Sequence, residues 1–236
     1  MAYTRRATGH AAAPGPGTSD QRLGTPTSPS AASPRPERLR TSGTISPSRL
    51  GPNSRSAGSC GPHTPIPLLN HSYRTYQFGR ALGEIEGVEV DTELLFAASM
   101  LHDVGLVNPP GTADFTLASS RLAREIAEQV GLSTAASEVM QTAITLHHSP
   151  GVTMSAGPVA YLLSAGAAVD VIGLRSWQLP TETLTDVVRE HPRVRFKHEF
   201  TQAFRQEAAR VPQGRAKLLL RYGAFAAAIR FAPFEE

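Results

Sequence analysis

Three positions break apolar helical stripes where only a chemical role or a matched partner justifies a polar side chain. His71 lies among Leu68, Thr75, Phe78, Leu82 and Ile85 at three- and four-residue steps, and His102 completes the stripe Leu94, Leu95, Ala98, Leu101. Asp170 sits inside the run YLLSAGAAVDVIG. An ionised carboxylate in such a run is strongly destabilising unless it meets a cation or a hydrogen-bond network. No Lys or Arg occurs between Val159 and Leu174, so the cation has to come from elsewhere. Two imidazoles and two carboxylates, His71, His102, Asp103 and Asp170, form a suitable ligand set for one divalent metal ion, with zinc or iron foremost and manganese, nickel and cobalt compatible. The neighbours His102 and Asp103 can share a metal if their helix ends at Gly105, where the backbone turns both side chains one way. Water on such an ion, its pKa lowered towards about 7, becomes a nucleophile at neutral pH.

Further candidates surround this set. His147 continues the stripe Met140, Ala143, Ile144, and helix neighbours point about 100° apart, so His147 rather than His148 is expected to face the pocket. His147 is read as the residue that contacts substrate or moves a proton, with Asp103 as the pocket carboxylate able to share that work. Arg74, one turn after His71, either orients a ligand carboxylate or holds an anionic substrate, or else forms a structural ion pair. Phe115 and His148 are candidates for lining the substrate pocket. For Phe115 a core role, and for the preceding Asp114 a helix cap, are the plainer readings. Trp177, His191 and His198 are expected to serve packing or surface, and Arg215, Lys217 and Arg221 to form a solvated helix face.

The elements that must position these residues read as nearly all helix. Helices are expected at roughly 66–86, from an Asp91–Thr92 cap to Gly105, at about 114–130 ending at Gly131, and from the Ser133 N-cap to just before Ser149. A loop over 108–111 separates the second and third. A helix at about 156–174, apolar nearly all round, should be central, and segments near 181–190, 197–210 and 214–230 should cover the bundle. No strand alternation, phosphate-binding glycine loop or repeat appears.

Composition confines the fold to part of the 236 residues. Residues 1–62 are rich in Pro, Gly, Ser, Thr and Arg and cannot bury enough apolar area to offset chain entropy, so they are expected to be a disordered extension before a domain at 63–236. Eight arginines against Asp20 and Glu37 give this stretch a net charge of +6, leaving about −3 of the overall +3 for the remainder. The basic character belongs to the extension, so no specific nucleic-acid partner is expected. Cys60 is the single cysteine, which excludes a disulfide framework or a cysteine-rich zinc site. The longest apolar run is too short to span a bilayer, and neither a secretory signal nor a transit peptide is supported. The expected protein is cytoplasmic, free of the membrane, and acts on a small-molecule substrate; a homo-oligomer is compatible with it.

His71 in NHSYR, the pair His102–Asp103 in LLFAASMLHDVGL, and Asp170 in AVDVIG together resemble the H…HD…D signature of the HD superfamily of metal-dependent hydrolases. The strings NHSYRTYQFG, LHDVGL, ADFTLASSRLAR and LHHSPG, over about 65–175, are similar to the subgroup that contains cyanamide hydratase. The resemblance implies an all-α HD-domain helical bundle, a His/His/Asp/Asp metal site, and addition of water to a nitrile-type carbon, forming urea from cyanamide. It also leaves two alternatives: an HD phosphohydrolase of a nucleotide or phosphomonoester, and a metal-bound regulatory module without turnover. The GYP signature of cyclic-dinucleotide phosphodiesterases is missing.

Overall fold

A computed structural model describes residues 66–107, 111–222 and 224–236. The extension at 1–62, Cys60 and most of the loop at 108–111 lie outside the described residues, as does the start of the expected domain at 63–65. Among the described residues there are helices and turns only. They are α1 (Ile66–Glu86), α2 (Thr92–Leu101), α3 (Phe115–Gln129), α4 (Thr134–Leu146), α5 (Pro158–Ile172), α6 (Thr181–Glu190), α7 (Phe196–Arg210), α8 (Arg215–Tyr222) and α9 (Phe225–Arg230). None of them is long and apolar enough to cross a membrane.

Local chemistry sets most of these boundaries. Side chains of Asp91, Asp114 and Ser133 accept from the backbone N–H groups of Leu94, Thr116 and Ala136 at 2.9, 3.1 and 3.2 Å, supplying N-caps to α2, α3 and α4. Gly173 ends α5 with φ of 71°, the left-handed cap that glycine adopts without a Cβ penalty.

The expected central helix, α5, packs against α1, α2, α4 and α9. Its crossing with α1 is unusually close. A Cβ on Gly166 would overlap the carbonyl oxygen of Thr75, and one on Gly79 would stand 2.6 Å from that of Leu162. Two glycines thus let the backbones of α1 and α5 nearly touch, and this brings His71 on one helix to Asp170 on the other. Around the crossing lie a core of Leu95, Ala98, Met140, Ile144, Leu162 and Leu163, and a second of Phe115, Phe196, Phe200, Phe204 and Phe225.

Four expectations are corrected. The helix carrying His102 ends at Leu101, and a short 3₁₀ turn over Val104–Leu106 follows. Gly105 is inside that turn and is required for packing rather than as a stop: a Cβ there would overlap the carbonyl oxygen of Phe115. The single segment expected at 214–230 is two helices, separated where Ala224 adopts a φ of 47°. Ile85 lies on the surface, because the last turn of α1 runs out beyond the core. Finally, α7 is no mere cover, since its Phe196 and Phe200 pack against the ring of His71 at centroid distances of 5.1 and 5.2 Å.

Candidate metal centre

His71 reaches the centre from the middle of α1, His102 and Asp103 from the turn that follows α2, and His147 from the C-cap of α4. All four are buried. Because α2 stops at Leu101, Asp103 leaves helical geometry, with φ of −114° and ψ of 7°, and its carboxylate turns back beside the His102 ring. The turn expected to bring these neighbours to one side begins earlier than Gly105.

Each imidazole is oriented by an acceptor behind it. His102 Nδ1 donates to the carbonyl of Ser99 at 2.6 Å, and His147 Nδ1 to that of Ile144 at 2.6 Å. A carbonyl oxygen only accepts, so these Nδ1 atoms carry the hydrogens and a neutral ring presents a bare Nε2 to the centre. His71 Nδ1 donates to Asp170 Oδ2 at 2.7 Å, which likewise aims Nε2 inward. His71 Nε2 and His102 Nε2 then face each other at 3.1 Å, each 3.5 Å from Asp103 Oδ2. His147 Nε2 stands 3.2 Å from Asp103 Oδ1.

The centre therefore gathers acceptors around a point with too few protons to share. Burial alone would raise the pKa of Asp103, but the imidazoles of His102, His147 and His71 outweigh it and hold the carboxyl well below its usual range. Burial pushes His102 down to about 3, which keeps it neutral. Burial opposes a proton on His71 as well, yet its contacts with Asp103 and Asp170 raise its pKa, so that in the absence of a metal one proton can sit on Nε2. Even then Asp103 Oδ2, fully buried, has no hydrogen-bond partner. An ionised, desolvated and unpartnered oxygen is costly unless a cation meets it. Ligand atoms of His71, His102 and Asp103 lie within 4.8 Å of one another, as do those of Asp103, His147 and His148. Nitrogen and carboxylate donors of this kind fit a borderline divalent ion.

Asp170, expected to complete this set, stands behind His71 instead, outside both groups. The cation that had to come from outside its own helix is supplied by α1 and by the segment after α6. Arg74 binds it bidentately, Nε to Oδ1 at 2.7 Å and Nη2 to Oδ2 at 2.9 Å, and Arg193 donates to both Oδ1 and the main-chain oxygen of Asp170. Burial opposes its ionisation, but Arg74, His71 and Arg193 prevail and hold its pKa below the usual range. Arg193 was missed in the sequence, where nothing in RVRF distinguishes it from its neighbours. It is buried, and its guanidinium lies over the rings of Phe196 and Phe234 at 4.6 and 4.8 Å.

Arg74 is not available to a substrate. Its remaining donor meets the carbonyls of His191 and Pro192 at 2.9 and 3.2 Å, and the residue is fully buried. The ion-pair reading is the one realised. Phe115 is equally buried and supports the imidazoles from behind, with its ring 6.0 Å from His147 and 5.5 Å from His148. Asp114 caps α3, as expected, and also accepts from the Arg215 backbone at 2.7 Å. Arg215 is no solvated residue: its guanidinium donates to Thr116 and to the carbonyl of Thr145.

The expectation that only one of His147 and His148 faces inward is also revised. With α4 ending at Leu146, His147 and His148 lie in a cap and a turn, where the 100° helical offset does not apply, and their rings are 4.2 Å apart. His148 is half-buried and lines a cavity together with His147. Burial, followed by the neighbouring His147, holds its pKa well below the ordinary value.

None of the curated proteins compared with the chain matches it. A family model described as HD domain matches residues 68–192, which contain every residue of the centre and stop one position short of Arg193. That match spans more than half of the 236 residues, and the chain belongs to the HD domain family.

Proposed function

We propose that the protein is a metal-dependent hydratase that adds water to a nitrile-type carbon, in the manner of the cyanamide hydratase-like HD proteins its sequence resembles. The observation that carries the metal-dependent part is Asp103 Oδ2, a buried carboxylate oxygen facing two imidazole nitrogens with no donor of its own. HD domain membership supports a hydrolase-type, metal-dependent chemistry in general. His71, His102 and Asp103 would hold a divalent ion, which would supply Lewis acidity and a water able to ionise near neutral pH.

The chain's own residues hold and orient. Asp170, fixed by Arg74 and Arg193, keeps the hydrogen of His71 on Nδ1 and its Nε2 aimed inward, the role a carboxylate commonly plays behind a ligating histidine. Ser99 does the same for His102 through its carbonyl. His147 Nε2 is the atom at which a proton can be taken up and returned, because Nδ1 is committed to Ile144 and Nε2 points at Asp103. In the proposed reaction the water oxygen bonds to the nitrile carbon, one C–N π bond breaks, and the nitrogen gains a proton. Tautomerisation then gives the amide, or urea from cyanamide, with no ammonia released.

Hydration is favoured over phosphate-ester cleavage by the state of Arg74 and Arg193, the two arginines that meet the centre's supporting carboxylate. Both Arg74 and Arg193 are consumed by Asp170, so neither is available to a phosphate dianion. The test supplies purified protein with zinc, iron(II) or manganese and offers cyanamide, simple nitriles, nucleotides and phosphomonoesters. Urea or amide formation that depends on the metal is the expected result. Phosphate release without urea or amide would replace this reading, and turnover unaffected by metal removal would refute it.

A further inference from the structure

Building on the hydration reading, we infer that the substrate is an uncharged molecule with an apolar body larger than cyanamide, seated in the cavity that begins at His147 and His148. That cavity measures about 410 Å³ and lies between the end of α4, one side of α5, and α8 with α9. Sites that enclose drug-sized ligands run from about 300 to 1,000 Å³ and are mostly apolar, with a few convergent polar groups. Cyanamide, a single nitrile carbon bearing an amino group, would leave most of this one unfilled.

The walls select against charge. Ala165, Ala168 and Ile172 form the α5 side, and Leu219, Phe225 and Ala228 the opposite one. Small residues on α5 are what make the room. Ser164 spends its hydroxyl on the carbonyl of His147 at 3.0 Å, so it adds little polarity. Arg175, the one Lys or Arg side chain lining the cavity among the described residues, is already committed at every nitrogen. Its Nε donates to Gln178 at 2.8 Å, Nη1 to the Tyr161 hydroxyl at 3.0 Å, and Nη2 to Glu86, which also accepts from that hydroxyl at 2.7 Å. A phosphate or carboxylate drawn into this space would be desolvated against alanine, isoleucine and phenylalanine with no free guanidinium or ammonium to neutralise it. An alkyl or aryl group would instead exchange water for apolar contact, while its reacting end lies against the half-buried His148, next to the buried His147.

The experiment measures binding separately from turnover. The full chain supplied with zinc is titrated with benzonitrile, cyanamide and adenosine 5′-monophosphate by ligand-observed saturation-transfer NMR, while amide and urea formation are assayed in parallel. Two variants fill the cavity from opposite walls, Ala168→Leu and Ala228→Leu, each checked for an intact helical spectrum and unchanged metal content, so that failure of one to fold leaves the other. Benzonitrile is expected to bind the wild type and to bind about tenfold or more weakly to the filled variants. The nucleotide is expected not to bind. Absence of benzonitrile binding, equal binding by both filled variants, or preference for the nucleotide overturns the inference. If cyanamide is hydrated while benzonitrile does not bind, the cavity inference alone falls. If benzonitrile binds where expected and no nitrile is converted, the hydration reading falls and the cavity's preference for neutral apolar molecules stands.

Discussion

Asp103 and Asp170 are both buried, both ionised, and both in contact with His71, yet their surroundings are opposite. Asp170 is surrounded by donors: a bidentate guanidinium from Arg74, a second from Arg193, and the Nδ1 hydrogen of His71. Asp103 faces imidazole nitrogens, the Nδ1 hydrogens of His102 and His147 point away from it, and one of its oxygens has no hydrogen-bond partner. The first carboxylate has its cations built into the chain; the second is surrounded by imidazoles alone. Buried charge alone therefore does not mark a metal ligand. What marks it is a shortage of donors, and by that measure Asp103 belongs to the centre while Asp170 fixes His71 from behind.

The most drastic way to break this contrast is Asp103→Asn, which keeps the shape and removes the uncompensated charge. Metal content should fall to background and turnover with it, while thermal stability in chelator should hold or rise, because the desolvated anion is gone. His147→Ala should lower turnover by about 10²–10⁴-fold with metal content near one per chain, as expected of a group that moves a proton rather than holds the ion; unchanged turnover would refute that role. Asp170→Asn should act mainly on stability. It strands Arg74 and Arg193 without their anion, and breaking a buried pair costs about 3–5 kcal/mol, measurable by urea unfolding. Arg193→Met should be milder, since Arg74 still holds Asp170; weakened orientation of His71 should lower metal affinity about 10–100-fold, read by competition with a chelator. Gly166→Ala tests the scaffold common to both carboxylates. Its added methyl would strike the Thr75 carbonyl, costing about 1–3 kcal/mol on thermal unfolding.

Much of this arrangement was legible in the sequence, and the parts that were not share a physical cause. The stripe of α1, the caps at Asp91, Asp114 and Ser133, and the apolar character of α5 are local signals, and they placed the elements well. His71 and His102 stood out because each interrupts or completes an apolar stripe, and Asp103 as the neighbour of His102. Asp170 stood out for the same reason, but a helical pattern records only that a partner is required, not which one. Arg193 lies 23 residues further on in a segment with several arginines, and only tertiary packing shows which of them reaches Asp170. Gly105 reads locally as a helix stop, whereas its role is to let Phe115 approach, a long-range requirement. Gly79 and Gly166 gave a usable signal that went unread: glycine inside a helix costs about 1 kcal/mol relative to alanine, so two of them on helices that bear site residues imply a close crossing. His148 lines the same cavity as His147 because both lie past the end of α4, where the helical offset no longer holds.

The claim that Asp103 rather than Asp170 faces an external cation is tested most directly by metal analysis of the purified chain and its two Asp→Asn variants. Each is stripped, reloaded with zinc and passed through a desalting column before elemental analysis. Tightly bound metal is expected in the wild type, none above background in Asp103→Asn, and metal retained, with weakened affinity, in folded Asp170→Asn. Metal retained equally by Asp103→Asn and the wild type, or none bound by the wild type, would contradict it.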